Sequence, residues 1–170
     1  MTVGLSCLFH SCRRRIDDGR RGSVAVEMAL IAPAFFLLLM GTIEICLMLG
    51  AQQLLENATY NTSRLAKTGF VTAGQTQGQT VSQVLTTELQ SYGALIDTTN
   101  VTMTEVSYSS FAAAGAGTGG KAGFGSQQEV VVYTVTYPWK LFTPMLSAII
   151  GSGGIVPLTS KIVVRNEPYG

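Results

Sequence analysis

The sequence predicts an α+β fold: a single-pass membrane protein with a long N-terminal helix, a small antiparallel sheet and short helices. Three observations lead to this prediction. Only 12% of the 170 residues are charged and the mean hydropathy is +0.32, whereas about a quarter of a soluble domain is charged. One long apolar run begins near residue 28, and several later segments are dense in Val, Thr and Tyr. The length leaves room for one modest domain beyond that run.

Residues 1–22 form a basic leader, which we expect in the cytoplasm. It contains five of the eleven Lys and Arg residues: Arg13, Arg14, Arg15, Arg20 and Arg21. By the positive-inside rule, these arginines keep their side of the apolar run cytoplasmic. The chain after about residue 50 then faces outward, into the periplasm of a Gram-negative cell. Beyond Gly22, six basic residues stand against eight acidic ones, so there is no polybasic patch for nucleic acid.

Residues 23–51 are the predicted transmembrane helix. From Met28 to Ile43 every residue is apolar or small. This run is longer than the apolar core of a secretory signal, about 7–15 residues, and suits a spanning helix of about 20. Pro33 lies inside the run, where membrane helices tolerate proline. We therefore expect an inner-membrane protein with a single span.

Two carboxylates border the apolar run. Glu27 lies five residues after Gly22, and Glu44 lies 17 residues after Glu27, which is about 25 Å along a helix. Because the hydrocarbon core is about 30 Å thick, we interpret Glu44 as an acid at the far membrane boundary. Contact with a partner helix is the alternative for Glu44. The helix dipole favours an acid near the position of Glu27, but it does not explain the arginines and Gly22 before it.

The stretch from Arg21 to Pro33, R-G-S-V-A-V-E-M-A-L-I-A-P, with G-T-I-E at residues 41–44, resembles TadE-like pseudopilins of the tight-adherence (Flp) pilus system. These proteins are similar to type IV prepilins, which have a basic leader, Gly before the cut and Glu at the fifth mature position. Residues 164–169 also resemble endings in that family. Met28 departs from the pattern, because an aromatic residue often follows the motif Glu. The resemblance fits TadE and TadF members alike and implies a pilin-like fold.

The resemblance also implies roles for individual residues. A membrane-embedded prepilin peptidase would cut between Gly22 and Ser23, on the cytoplasmic side. Ser23 would then carry a free ammonium group, which is costly to bury in a helical bundle unless it is paired. Glu27 would pair with that amine on a neighbouring subunit and set the axial register. The implied partners are the peptidase, other pilin or pseudopilin subunits, the inner-membrane assembly platform and the lipid bilayer, with no cofactor or metal.

After residue 51 the helical period continues in a more polar sequence, so residues 52–69 are predicted to extend the helix amphipathically as far as Thr68. Gly69 is the predicted stop. Residues 70–170 are the predicted extracytoplasmic α+β domain. In it we expect a loop at 69–80, a helix at 81–92, strands at 101–108 and 130–137, a helical turn within 139–150 and a strand at 155–165.

Three aromatic residues, Tyr133, Tyr137 and Trp139, are expected in the core of the sheet rather than on a glycan-binding surface. Residues 115–121 match G-x-G-x-x-G and the start of a Walker A motif. Ala122 follows where Ser or Thr should hold magnesium, so we expect a flexible hairpin-type loop.

The residues disfavour an enzyme. Past Gly22 there is no His and a single Cys, Cys46, which excludes Ser-His-Asp, Cys-His and His-based zinc sites. The leading hypothesis is a structural pseudopilin or minor pilin that acts in pilus biogenesis and adhesion, either within the fibre or in the membrane. The alternatives are an uncleaved, signal-anchored scaffold of the same secretion machine and a membrane-stalked extracytoplasmic binding module.

Overall fold

The computed structural model describes the backbone of residues 6–93, 95–150 and 152–168, and the side chains of residues 22–93, 95–150 and 153–168. The side chains of the leader arginines lie outside the described residues, as do those of Cys7, Cys12, His10 and Tyr169. The chain divides into two compact units, Met1–Ile43 and Glu44–Gly170. A long N-terminal apolar helix, a four-stranded antiparallel sheet and short helices confirm the predicted α+β class.

Helix α1 runs from Ser6 to Ala66. The sequence prediction placed its start at Ser23, so the helix begins earlier, within the leader. No proline lies between residue 6 and Gly22, and arginine is a good helix former. Pro33 is accommodated inside the helix. The helix ends near the predicted stop, since Gly69 takes a positive φ of 68° in the turn that follows.

The apolar side chains of the first unit are exposed. Leu30 and Leu38 are 75% and 70% exposed, although a buried leucine is about 1.5–3 kcal/mol more stable than one left in water. Gly22–Ala66 is the one helix among the described residues that is long and apolar enough to cross a membrane, with a mean hydropathy of 2.2 in its most apolar window. The first unit therefore has the surface of a lipid-embedded segment.

The second unit is built around the C-terminal part of α1. Ala51, Leu55 and Ala58 are fully buried, and their spacing of four and three places them on one helix face. The larger core cluster joins α1, α2 and the sheet through Ala51, Leu55, Ala58, Leu85, Leu89, Ile96, Val135, Trp139 and Leu158. A second cluster contains Ala66, Val81, Val131 and Tyr133.

Helix α2 spans Gln77–Ser91 and begins with a capping box. Thr76 Oγ1 accepts a hydrogen bond from Gln79 N at 3.3 Å, and Gln79 Oε1 accepts one from Thr76 N at 2.9 Å. These two bonds satisfy backbone donors that a helix start leaves unpaired. The helix therefore begins inside the segment that the sequence prediction assigned to a loop.

The sheet has the order β2-β1-β3-β4, with every neighbouring pair antiparallel. Its strands are β1 Thr102–Tyr108, β2 Lys121–Ala122, β3 Val130–Lys140 and β4 Ile155–Arg165. Strand β4 has the predicted bounds. On the face toward the core, Tyr133 and Trp139 are buried, which confirms their predicted placement, and Tyr137 is half-buried.

Strand β3 is longer than predicted. We expected a helical turn from Trp139 onward, but Trp139 is part of β3 and the helix, α4, spans only Pro144–Ile149. Pro138 is tolerated because it lies opposite Pro157, at a rung where neither residue has an N–H to donate. On the other edge of β3, pairing with β1 stops at Thr136. No carbonyl group of β1 therefore lies opposite Pro138 and lacks a donor.

The predicted flexible loop after β1 is partly ordered, which corrects that expectation. It contains α3, Phe111–Ala116, and strand β2. Ser110 Oγ accepts a hydrogen bond from Ala113 N at 3.2 Å and so caps α3. A Cβ atom added at Gly120 would lie 2.7 Å from Val106 Cγ1 and 2.9 Å from the Tyr108 ring. This glycine is thus explained by close packing of the turn.

Glu105 leads to a pH-dependent prediction. It lies opposite Tyr133 on β1, and partial burial raises the pKa of its carboxyl group. Because the folded-state pKa lies above the unfolded one, the contribution of Glu105 to stability is greatest at low pH and is lost as pH rises through the folded-state pKa. Loss of this contribution lowers the Tm of the wild-type protein as the pH rises from about 4 to about 7. We expect the Tm of Glu105→Gln to fall less than that of the wild type over the same range. Thermal unfolding of both proteins across that range measures it, with the exposed Glu56→Gln as control; a pH-independent Tm difference would contradict it.

Candidate functional site

The residues predicted to form the cleavage motif lie on the apolar part of α1. Gly22, Ser23 and Glu27 are all exposed. Ser23 Oγ donates a hydrogen bond to Glu27 Oε1 at 3.2 Å, because residues four apart lie on the same side of a helix. The structure thus brings Ser23 and Glu27 together, with Gly22 immediately before them in an open helical turn.

The fold of this chain does not require a glycine at position 22. A Cβ atom there would meet no atom within 4 Å, and glycine inside a helix is about 0.5–1 kcal/mol less favourable than alanine. Gly50, further along α1, has the same open surroundings. What distinguishes Gly22 is its position, between the arginines of the leader and Glu27.

Glu44 is the acid that the structure places most distinctively. It is only 3% exposed. Its Oε2 accepts a hydrogen bond from Thr143 N at 3.0 Å, and its Oε1 accepts one from Phe142 N. Hydrogen bonds from backbone amides stabilise a buried carboxylate. No cation lies within ion-pair distance of Glu44 among the described side chains, whereas Lys67 and Glu167 form an ion pair at 2.9 Å.

These two bonds attach the β3–β4 connection to α1. Thr143 is the residue that precedes α4, and its own side chain makes no capping bond. The Glu44 carboxylate supplies acceptors at that helix start instead. The sequence predicts a boundary acid or a contact with a partner helix for Glu44, and no sequence pattern indicates these bonds to the β3–β4 connection. The Thr143–Pro144 pair marks a helix start in the sequence, but nothing in the sequence links it to a residue 99 positions away.

A groove of about 390 Å³ lies in the second unit. It is lined by Leu47, Leu95, Asp97, Asn100, Tyr137, Pro138, Trp139, Lys140, Phe142 and Ile155. Asp97 accepts hydrogen bonds from the Thr99 side chain at 2.7 Å and from the Asn100 side chain at 2.7 Å. These bonds, led by the one from Thr99, lower the pKa of Asp97. The carboxylate of Asp97, the one acidic group among the lining residues of the groove, therefore stabilises the local turn through these hydrogen bonds and is not positioned for a substrate.

The remaining candidates for chemistry do not converge. Among the described residues, no group of three or more His, Cys, Asp and Glu side chains could hold a metal ion. Cys46 is an exposed free thiol on α1. At the segment 115–121, α3 ends at Ala116 and Gly117 caps its C-terminus. A helix C-terminus repels phosphate, which binds at helix N-termini.

Comparisons with known proteins identify the N-terminal region. Residues 22–64 match the family model described as TadE-like protein. No curated protein and no solved structure matches the chain. The family match supports involvement in the Tad pilus system. The matched family is structural and non-enzymatic, and it suggests partners of the pilin type. The exposed apolar helix, which is long enough to span a membrane, is consistent with a membrane-anchored pilus component.

Proposed function

Since residues 22–64 form a TadE-like domain, we propose that the chain is a pseudopilin or minor pilin of a tight-adherence pilus, processed by a prepilin peptidase and acting structurally in pilus biogenesis and adhesion. One observation carries the proposal. The family match begins at Gly22, the residue before the proposed cut, and continues through Glu27 and the apolar helix. A processed subunit would therefore retain all of the matched region except Gly22 itself.

The environment of Gly22 supports processing. Its Cβ position is open, so the chain's own packing does not select glycine there. A peptidase subsite that excludes a side chain does select it. The arginines before Gly22 hold the cut on the cytoplasmic side, where the peptidase would act.

Glu27 is proposed to pair with the amine of a neighbouring subunit. Cleavage leaves an ammonium group on Ser23, one helical turn before Glu27 and on the same face. Both groups border an apolar surface that a bundle of subunits would cover. An unpaired charge in such a bundle is strongly unfavourable, so a stagger that joins each amine to a neighbour's Glu27 is preferred.

The proposed topology follows from the same residues. The leader 1–22 lies in the cytoplasm, residues 23–51 span the inner membrane, residues 52–69 extend the helix, and residues 70–170 form the periplasmic domain. The boundary between the two compact units, after Ile43, lies within the last turns of the proposed span. Prepilin peptidase, other pilin subunits and the assembly platform are the proposed partners.

N-terminal sequencing tests the proposed processing. The full chain with a C-terminal tag is expressed in the same cells with and without a prepilin peptidase. We expect a chain that starts at Ser23 only in the presence of the peptidase. Recovery of the full-length N-terminus in both samples would instead identify an uncleaved, signal-anchored scaffold.

A further inference from the structure

The connection between β3 and β4 carries an unusual apolar surface. From Leu141 to Ser160 the sequence contains no charged residue. Within it, residues 141–150, here called the apolar tip, include α4 and the residues on either side of it. Phe142 and Ile149 are 74% and 69% exposed, and Met145 and Ile150 are exposed as well. A contiguous apolar surface of this kind on a folded unit indicates a binding partner or a membrane.

The apolar tip is held at a defined point of α1. The Glu44 carboxylate accepts hydrogen bonds from the backbone N–H groups of Phe142 and Thr143. At the same end of the tip, Leu141 N donates a hydrogen bond to Gly154 O at 2.8 Å and so closes the β3–β4 connection on itself. The Phe142 ring also contacts the Trp139 ring edge-on, with centroids 6.0 Å apart. The tip therefore stays beside Glu44.

Chain connectivity gives the level of Glu44 relative to a membrane. Residues 22–43 immediately precede it and cover about 33 Å as a helix, close to the roughly 30 Å of a hydrocarbon core. A chain that enters the hydrocarbon core near Gly22 thus reaches the opposite boundary of that core at Glu44, and the remaining residues of the proposed span, up to residue 51, lie in the headgroup region. Any segment bonded to the Glu44 side chain lies at that boundary too.

We propose that the apolar tip inserts into the outward-facing interface of the same membrane that α1 crosses. The inference rests on the proposed topology and adds a second membrane contact to it. Exposed apolar residues without a charge among them suit insertion by about 5–10 Å at the boundary of headgroups and acyl chains. Lys140, exposed at the start of the tip, suits the anionic headgroups above it.

The insertion also accounts for the burial of Glu44. A carboxylate at the membrane boundary is unfavourable when it faces acyl chains. Here both carboxylate oxygens face backbone N–H groups of the tip. These two hydrogen bonds shield the charge of the carboxylate from lipid and hold the tip in its inserted position. The two features are thus parts of one arrangement.

Depth-resolved fluorescence quenching on the full chain tests the proposal. Cys7, Cys12 and Cys46 are replaced, and a single cysteine is introduced by Ile149→Cys and labelled with an environment-sensitive nitrobenzoxadiazole dye. The protein is placed in nanodiscs of phosphatidylethanolamine and phosphatidylglycerol, which expose both membrane faces. Quenching by a spin-labelled lipid is compared with quenching by aqueous iodide. Met145→Cys gives a second position on the tip.

Two further positions serve as matched references. Val163→Cys labels another exposed apolar residue, roughly 26 Å along β4 from Ile155. Leu38→Cys labels the proposed span itself. We expect a blue-shifted emission, strong lipid quenching and weak iodide quenching at 149 and 145, with the opposite behaviour at 163.

The other outcomes separate the two levels of inference. Lipid quenching at 38 but iodide quenching at 149 overturns the insertion and leaves the span intact. Protection of 149 from both quenchers shows that protein, such as a second copy, covers the tip, which also overturns the insertion. Iodide quenching at 38 overturns the proposed span, and the insertion with it.

Discussion

A Gly22→Leu chain is expected to remain full-length in cells that contain the prepilin peptidase, whereas under the proposed processing we expect the wild-type chain to be converted to one that begins at Ser23. The reason lies outside the fold of the chain. A Cβ atom at position 22 meets no atom within 4 Å, and leucine favours the helix by up to about 1 kcal/mol over glycine. The substitution therefore leaves α1 at least as stable as before and changes only what a peptidase subsite would have to accommodate.

Gly50→Leu is the matched control for this prediction. Gly50 lies in the same helix, and its Cβ position is equally open, so both variants gain similar helix propensity. Immunoblotting of a C-terminal tag and N-terminal sequencing measure the processed fraction. Gly50→Leu should be processed as the wild type is. Normal processing of Gly22→Leu would show that Gly22 does not determine the cut.

Loss of the Glu44 carboxylate is expected to release the apolar tip. In Glu44→Ala, the N–H groups of Phe142 and Thr143 lose their acceptors, and Thr143 is buried. An unsatisfied buried donor, or the loss of a hydrogen bond to a charged group, costs about 1–3 kcal/mol. Exchange of the amides in residues 142–150 should therefore be roughly 5- to 150-fold faster, at a factor of ten for each 1.4 kcal/mol.

Hydrogen–deuterium exchange with mass spectrometry, performed on the full chain in nanodiscs, measures this effect. The Ser147 and Ile150 amides, which bond to Thr143 O at 3.0 Å and Leu146 O at 2.7 Å, report on α4. Helix α2 serves as an internal reference, because it makes no bond to Glu44. Glu56→Ala removes an exposed acid from the same helix and should leave the tip unchanged. Equal exchange of the tip in the Glu44→Ala and wild-type chains would rule out the attachment.

The elements that the sequence predicted well are those set by local chemistry. Strand β4 has the predicted bounds because its alternating residues occupy one buried and one exposed face. Helix α2 covers the predicted segment 81–92 except for its last residue, and it starts early because a Thr–Gln capping box ends the loop sooner than the loop's composition indicates. The end of α1 near Gly69 likewise follows from a residue that tolerates positive φ.

The predictions that failed depended on residues distant in sequence. Pro138 suggested the end of a strand, but its rung opposite Pro157 and the early end of β1 remove the need for its N–H. The glycines of residues 115–120 indicate a flexible loop, whereas α3 ends within that stretch and β2 pairs with β1 directly after it. The motif at Gly22 and Glu27 is local and could be recognised from the sequence. The partners of Glu44 could not, because only the folded sheet brings Phe142 and Thr143 to α1.

The attachment of the tip to Glu44 also has a consequence for the timing of synthesis. Phe142 follows Glu44 by 98 residues, and a ribosome adds about 5–20 residues per second. Glu44, which the proposed topology places at the membrane boundary, thus waits roughly 5–20 s before its partners have been made. During this interval its carboxylate has only water and lipid headgroups to solvate it. A nascent chain that ends between Lys140 and Phe142 lacks both the partners of Glu44 and strand β4. It would present an unsatisfied acid and an unpaired β3 edge, a surface that quality-control proteases and chaperones of the envelope could recognise.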